Sequence, residues 1–426
     1  MDIALGMIRA ISFSTPLAAG TWSVFRSLCD GLKAYGIDLR WLAAGGSSQD
    51  AEAARVANQE GYPGCFINRN SFSEKELAQR FYEYVVAQGA GLVFHHALCG
   101  TIESNLARYL PQQVRRILVV HNITPSTYRA ARALRDCVHA VVGVSPRIRK
   151  DLVGRYGFPP NWTVAIPNGI DTQPFVQIQR IPSDGPLRIL FHGRIEDISK
   201  GVLWVPGILR RAARLGAHFT LTVSGDGPDA ERLRSALSNS GLAQVSFLGW
   251  TRHSDVPSLV AAHDVLMFPS RFEGLGIALV EAMAGGCVPV ASKIWGVTDE
   301  VIEHGVNGFL FPVGEIGEAA KYIALLAADR TLLARMSGAA RSSVCARFTR
   351  EKQAIAYYHL IQRMLEDPRS IRKPLEFDRW KMAWGLKPSW WHVFPQPVKK
   401  FARLARERWT ASHELRRRAH GEGRDL

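Results

Sequence analysis

The stretch that most limits what this chain can become runs from Phe268 to Ser292. A short apolar run, Val265 to Phe268, stops at Pro269, and a loop containing Gly274 and Gly276 comes next. Ile277 to Ala284 carries helical spacing, Gly285 and Gly286 end it, and Val288 to Ala291 is a second apolar run. Strand, small-residue loop, helix, strand is the unit of a parallel sheet, whose buried strands read as unbroken apolar runs. Ligands of open parallel sheets bind beyond the C-terminal ends of the strands. The free N–H groups of a helix start suit phosphate or sugar oxygens. Two carboxylates frame the unit, Glu273 in the loop and Glu281 in the helix. Both can accept hydrogen bonds from paired sugar hydroxyls, although the spacing alone fits ordinary surface glutamates as well.

The same alternation runs along the rest of the chain. Residues 2–8 read as a first strand, the loop 14–21 leads into a helix from Trp22 to Tyr35 capped by Gly36, and Asp38 to Ala44 is a second strand. A helix near 74–87 and strands at 92–95, 117–120, 141–144 and 164–166 come after it. Pro167 and the Asn168-Gly169 turn then break the pattern, and the polar segment 177–186 reads as a linker. Beyond it come strands at 187–191, 219–223, 245–248 and 308–311, and helices at 202–215, 315–328, 331–346 and 350–366. Strands alternating with helices argue an α/β chain with parallel, doubly wound sheets. At 426 residues, two domains and a tail are natural.

The string from Pro269-Ser270 through Glu273 to Glu281-Ala282-Met283-Ala284 resembles the Glu-x7-Glu signature of retaining glycosyltransferases of family four. The likeness covers roughly 1–366 and is strongest at 187–312. It implies the GT-B fold of two facing Rossmann-like domains: 1–176 on the acceptor side, 177–349 on the donor side, and a crossover helix, 350–367, returning to the first domain. Gly193-Arg194 and Lys200-Gly201 are similar to the family's pair of cations that hold the donor diphosphate. The chemistry suits that role independently, because a guanidinium grips phosphate oxygens as a fork and an ammonium adds a point charge. Fixed cations also stabilise the charge that develops on a leaving phosphate.

By the same resemblance Glu281 belongs to the ribose hydroxyls and Glu273 to the donor sugar. The N–H groups of Gly274, Leu275 and Gly276 would face sugar and phosphate. Trp250 or Thr251 would border the base, unless Trp250 is a core residue. Gly20 and Thr21 fall where the family approaches the donor phosphates, although this chain has Ala19-Gly20 in place of paired glycines. The V-V-H-N string places His121 near the donor sugar; His95 and His96 receive no role. The implied activity is metal-independent, retaining transfer of a hexosyl group from a nucleoside-diphosphate sugar to the hydroxyl of a saccharide or lipid-linked acceptor, as in bacterial-type polysaccharide or glycolipid assembly. No cofactor is implied, and the sequence holds no Asp-x-Asp pair for a metal. A phosphorylase or a nucleotide-sugar epimerase would share the diphosphate site. A non-catalytic anion-binding protein would not need the full set Arg194, Lys200, Glu273 and Glu281.

The formal net charge of +15 calls for an anionic partner. Most of it lies after the family likeness ends: Pro368 to Leu426 holds 15 Lys and Arg against 6 Asp and Glu, +9 of the total. Five tryptophans, 380, 384, 390, 391 and 409, are interleaved there. Charge and indole together suit an anionic membrane surface, against the alternative that the rings pack on the first domain. No nucleic-acid-binding motif is present. Six scattered cysteines without a C-x-x-C pair fit a reducing compartment. With no signal peptide or bilayer-length apolar run, the expected location is cytoplasmic, or peripheral on the inner face of the cell membrane.

Overall fold

The computed structural model describes residues 7–387 except 18, 99, 181–184 and 243, together with positions 398, 401, 402, 404, 405, 407–410 and 412. The chain divides into two compact units, Met1–Asp171 with Phe348–Ser389, and Thr172–Arg347 with Trp390–Leu426.

The first unit is built on a seven-stranded parallel sheet. Its strands are β1 (Ile8–Ser12), β2 (Ile37–Gly45), β3 (Gly64–Asn68), β4 (Leu92–His96), β5 (Arg115–Val120), β6 (Ala140–Gly143) and β7 (Thr163–Ala165), in the order β3-β2-β1-β4-β5-β6-β7. Strand β1 lies later than the expected 2–8, and residues 2–6 of that expectation fall outside the described residues. The charged Arg9 sits inside this strand because its guanidinium reaches the carbonyl of Gln88 at 2.6 Å and the Asp38 carboxylate at 3.7 Å. Ala10 and Ile11 beside it are fully buried. The first helix also starts earlier than expected, at Ala19.

The helix Arg350–Glu366 belongs to this unit and lies against Ala19–Lys33. It buries Ala354, Tyr357, Ile361 and Met364, one stripe at helical spacing. A Cβ on Gly31 would come within 2.7 Å of the Ala354 Cβ, so glycine there is what lets the helices approach. Tyr35 stacks on Tyr358 at 4.5 Å.

The second unit holds a six-stranded parallel sheet: β8 (Leu187–His192), β9 (Phe219–Ser224), β10 (Val245–Gly249), β11 (Val265–Phe268), β12 (Val288–Lys293) and β13 (Phe309–Pro312), ordered β10-β9-β8-β11-β12-β13. Central β11 is buried along its whole length, whereas edge strand β10 is partly exposed. The chain enters this unit at Thr172, before the expected boundary at 177. The short helix Gln173–Gln177 already belongs to it: Phe175 is buried, and Arg341 donates to the carbonyls of Phe175 and Val176 at 3.1 and 2.6 Å.

The segment after Asp367 is not one piece. Phe377, Trp380 and Met382 pack on the apolar core of the first unit, while Arg408 donates to Glu315 of the second at 2.6 Å. Each unit is a Rossmann-like parallel sheet with helices, the two domains expected of the GT-B fold.

Candidate active site

Strands β8 and β11 are neighbours where the strand order of their sheet reverses. The loops that leave their C-terminal ends therefore gather over one crevice. After β8 come Gly193, Arg194 and the turn Asp197–Lys200; after β11 comes the loop 269–276. Gly201 has φ +61°, and a Cβ there would lie 2.2 Å from the Pro269 carbonyl oxygen. Only glycine lets these two loops touch.

That contact seats Lys200 against Glu273. Lys200 Nζ donates to Glu273 Oε1 at 2.5 Å, and Ser270 Oγ donates to the same oxygen at 2.7 Å. Glu273 is buried, and these two charge-assisted bonds offset the cost of burying it. One carboxylate oxygen is thus committed, and the ammonium retains further N–H donors. Beneath the pair, buried Arg271 donates to both carboxylate oxygens of Asp197 at 3.2 and 3.1 Å and lies 3.7 Å over the Trp204 ring. It braces the two loops to each other. Arg194 is not drawn in: its side chain is 67% exposed and 3.7 Å from Glu196.

The helix Ile277–Ala284 starts directly after Gly274, Leu275 and Gly276. Its first N–H groups have no acceptor within the helix. Glu281 faces inward and is buried. Loss of water pushes its carboxyl up to about 8. His253, which the sequence did not single out, brings Nδ1 to 3.7 Å from Glu281 Oε1. Across the ends of β8, β9 and β10 runs a polar chain: His192 Nδ1 to Ser224 Oγ at 2.9 Å, and Ser224 Oγ to Thr251 Oγ1 at 2.7 Å. Burial holds His192 down to about 4. Trp250 is 67% exposed, which removes the core reading for that residue.

In the first unit the strand order reverses between β1 and β4. His121 comes directly after β5 and lies against His96 at the end of β4: His96 Nδ1 and His121 Nε2 are 2.8 Å apart. His96 received no role from the sequence, and only the neighbouring strand ends reveal it. Gly20 and Thr21 lie in the first turn of the helix Ala19–Lys33 and not in the loop expected there. A Cβ on Gly20 would meet nothing within 4 Å, so packing does not demand glycine.

Residues 18–174 match the family model described as Glycosyltransferase Family 4, and residues 177–343 match Glycosyl transferases group 1. The chain belongs to glycosyltransferase family four. The family-four match takes in Gly20, Thr21 and His121, and the group 1 match takes in Arg194, Lys200, Glu273 and Glu281. Glycogen synthase of Mycobacterium tuberculosis is 30% identical over 192 residues, 45% of this chain and 46% of that one. The chain spans less than half the length of the curated relatives it matches. Among solved structures, a glycosyltransferase from Rickettsia africae aligns with TM-score 0.69 at 18% identity, over 85% of this chain and 100% of that one. Anabaena HepE in complex with UDP-glucose aligns with TM-score 0.68 at 21% identity, over 83% and 99%. Among the described residues no helix is long and apolar enough to cross a membrane.

Proposed function

We propose that this chain transfers a hexosyl group from a nucleoside-diphosphate sugar to an acceptor hydroxyl, with retention of anomeric configuration and without a metal, in polysaccharide or glycolipid assembly. The observation that carries this reading is the Lys200–Glu273 contact at the β8/β11 reversal, beside the start of a helix. It places a cation, a fixed carboxylate and helix N–H groups around one crevice. That set fits a sugar diphosphate better than a neutral ligand.

The roles rest on what each group has left. Glu273 commits Oε1 to Lys200 and Ser270, which leaves Oε2 for a hydroxyl of the donor sugar. Lys200 turns its remaining N–H groups to the diphosphate. Arg194, long and on the surface, joins it there. Glu281 holds the ribose, Thr251 and Trp250 border the base, and His121 contacts the sugar. The anomeric C–O bond to phosphate breaks as the C–O bond to the acceptor forms. The acceptor proton passes to the leaving phosphate oxygen, whose charge Lys200 and Arg194 stabilise. A structural neighbour solved with UDP-glucose supports the same donor class, and a relative named glycogen synthase supports a place in polysaccharide assembly.

The test is incubation with UDP-, ADP- and GDP-sugars and a panel of saccharide and lipid-linked acceptors. Release of the nucleoside diphosphate with an acceptor-linked product of unchanged anomeric configuration is the expected result. Release of sugar phosphate in the presence of inorganic phosphate would make the chain a phosphorylase. An inverted product would overturn the mechanism.

We also propose that the end of the tail meets an anionic membrane. Phe401 and Trp409 are 74% and 59% exposed in a segment rich in Lys and Arg. Aromatic rings beside basic residues suit the headgroup level of an anionic leaflet.

A further inference from the structure

We infer that His96 is a positioning residue for His121: it fixes the tautomer and ring angle of that histidine, so that a single ring nitrogen is offered to the substrate. The inference rests on the proposed contact of His121 with the donor sugar.

The geometry is a chain of four side chains drawn from three strand ends. Ser14 Oγ lies 2.8 Å from Ser12 Oγ, Ser12 Oγ lies 2.9 Å from His96 Nε2, and His96 Nδ1 lies 2.8 Å from His121 Nε2. The two imidazole centroids lie 5.0 Å apart with the ring planes inclined by 30°. Ser12, Ser14 and His96 are all buried. A 2.8 Å contact between two ring nitrogens needs one proton and one lone pair. Two protons would repel, and two lone pairs would leave both atoms unsatisfied.

Both nitrogens of His96 are engaged, so a proton on one forces the role of the other. If Ser12 donates to Nε2, His96 donates from Nδ1 and His121 carries its proton on Nδ1. If His96 donates to Ser12, every bond reverses and His121 Nδ1 becomes an acceptor. In each case His121 Nε2 is taken and Nδ1 has no hydrogen-bond partner among the described residues.

The surroundings keep the pair neutral. Burial holds His121 down to about 4; burial, with the neighbouring His121 and His95 rings, holds His96 well below its ordinary value. The other titratable neighbours are His95, which bonds the Glu103 carbonyl at 3.0 Å, and Glu103 itself, which shares a small cavity with His96, Thr15 and Phe13. Burial raises the Glu103 carboxyl from its ordinary value. His121 is therefore presented as a neutral hydrogen-bonding group and not as an acid or base.

The experiment is a double-mutant cycle on full-length enzyme with a nucleotide sugar that supports release. His121→Ala, His96→Leu, His96→Asn, Ser12→Ala and the double variant His96→Leu/His121→Ala are compared for kcat, donor KM and thermal midpoint. His96→Leu should lower kcat about tenfold through lost coupling to His121. His96→Asn should restore most of that loss, because its amide sits where Nδ1 was. Adding His96→Leu to His121→Ala should cost nothing more. If His121→Ala turns over normally, the sugar-contact reading fails and takes the inference with it. If His121→Ala is crippled while His96→Leu keeps wild-type kcat, or the two losses multiply, His96 does not act through His121 and the inference alone is overturned. Should His96→Leu fail to fold, the Asn and Ser12→Ala variants decide: an Asn variant as slow as His121→Ala would sink it.

Discussion

The Glu281 carboxyl and the His253 ring approach to 3.7 Å, yet burial keeps them from being an ion pair at neutral pH. The carboxyl is raised from 4.5 to about 8. Between those values the folded chain binds a proton that the unfolded chain has released. The contribution to stability is complete below about pH 4.5 and is lost as pH rises through about 8. Glu281→Gln cannot ionise, so its thermal midpoint should fall less than that of the wild type between about pH 5 and pH 9. Parallel profiles for the two proteins would mean that Glu281 ionises freely in the folded state.

The same residue is proposed to hold the ribose, and binding offers a separate measurement. Glu281→Ala should weaken affinity for the free nucleoside diphosphate by about 0.5–1.5 kcal/mol, the worth of a hydrogen bond between neutral groups. Calorimetry reads this directly. Unchanged affinity would place the ribose elsewhere.

Lys200 and Arg194 should separate in stability while agreeing in activity. Removing either cation from the diphosphate should cost about 10² to 10³ in rate. Lys200→Ala also leaves the buried Glu273 carboxylate without its ammonium, so its thermal midpoint should drop. Arg194 is largely exposed, and Arg194→Ala should melt like the wild type. Activity should persist in EDTA. Near-normal turnover in either variant, or a loss in EDTA that magnesium restores, contradicts the metal-free diphosphate site.

The legible parts of the chain are those whose signal is local. Strands β11 and β12 are covered on both faces, so their residues form apolar runs that need no context. Arg9 inside β1 disguises that strand. The helix Ser48–Gln59 buries only Ala54 and Ala57 and is held by a Ser47/Asp50 capping box, so it carries no apolar stripe to read. Strand β3 beside it is only partly buried and gives as little signal. In the site, Lys200, Glu273 and Glu281 are accessible because motif spacing carries them. His253 and His96 are not, because the partner of each comes from another element and no spacing records it. Ser270 stands inside the motif string, but its bond to Glu273 depends on how the loop closes.

Of the tail's five tryptophans, Trp390 and Trp391 lie outside the described residues, and Trp380 and Trp384 differ in their packing. Trp380 stacks on Phe377 at 5.3 Å, lies 4.6 Å from Tyr109, and donates from Nε1 to Glu74 at 2.9 Å. Trp384 is 77% exposed, and its ring lies 5.6 Å from the Arg129 guanidinium. Trp380→Ala should destabilise by about 1–3 kcal/mol, and Trp384→Ala by about 0.5 kcal/mol or less. Denaturant unfolding distinguishes them; equal losses would contradict the packing.

That division also sets where the chain must be cut to test the membrane proposal. Ending it at Asp367 would strip Phe377 and Trp380 from the first unit and confuse unfolding with lost binding. Ending it at Lys387 keeps that packing and removes Phe401, Trp409 and the basic run around them. Each Lys or Arg near an anionic leaflet contributes about 1 kcal/mol, and the two exposed rings add apolar contact at the headgroup level. Full-length protein should float with phosphatidylserine-containing vesicles at low salt, and should release as salt screens the charges. It should bind pure phosphatidylcholine weakly, and the chain ending at Lys387 should stay in the soluble fraction with both. Phe401→Ala/Trp409→Ala should reduce flotation while leaving its salt dependence in place. Equal flotation of the full-length and shortened chains would move the contact out of the tail, and no flotation on anionic vesicles at low salt would end the proposal.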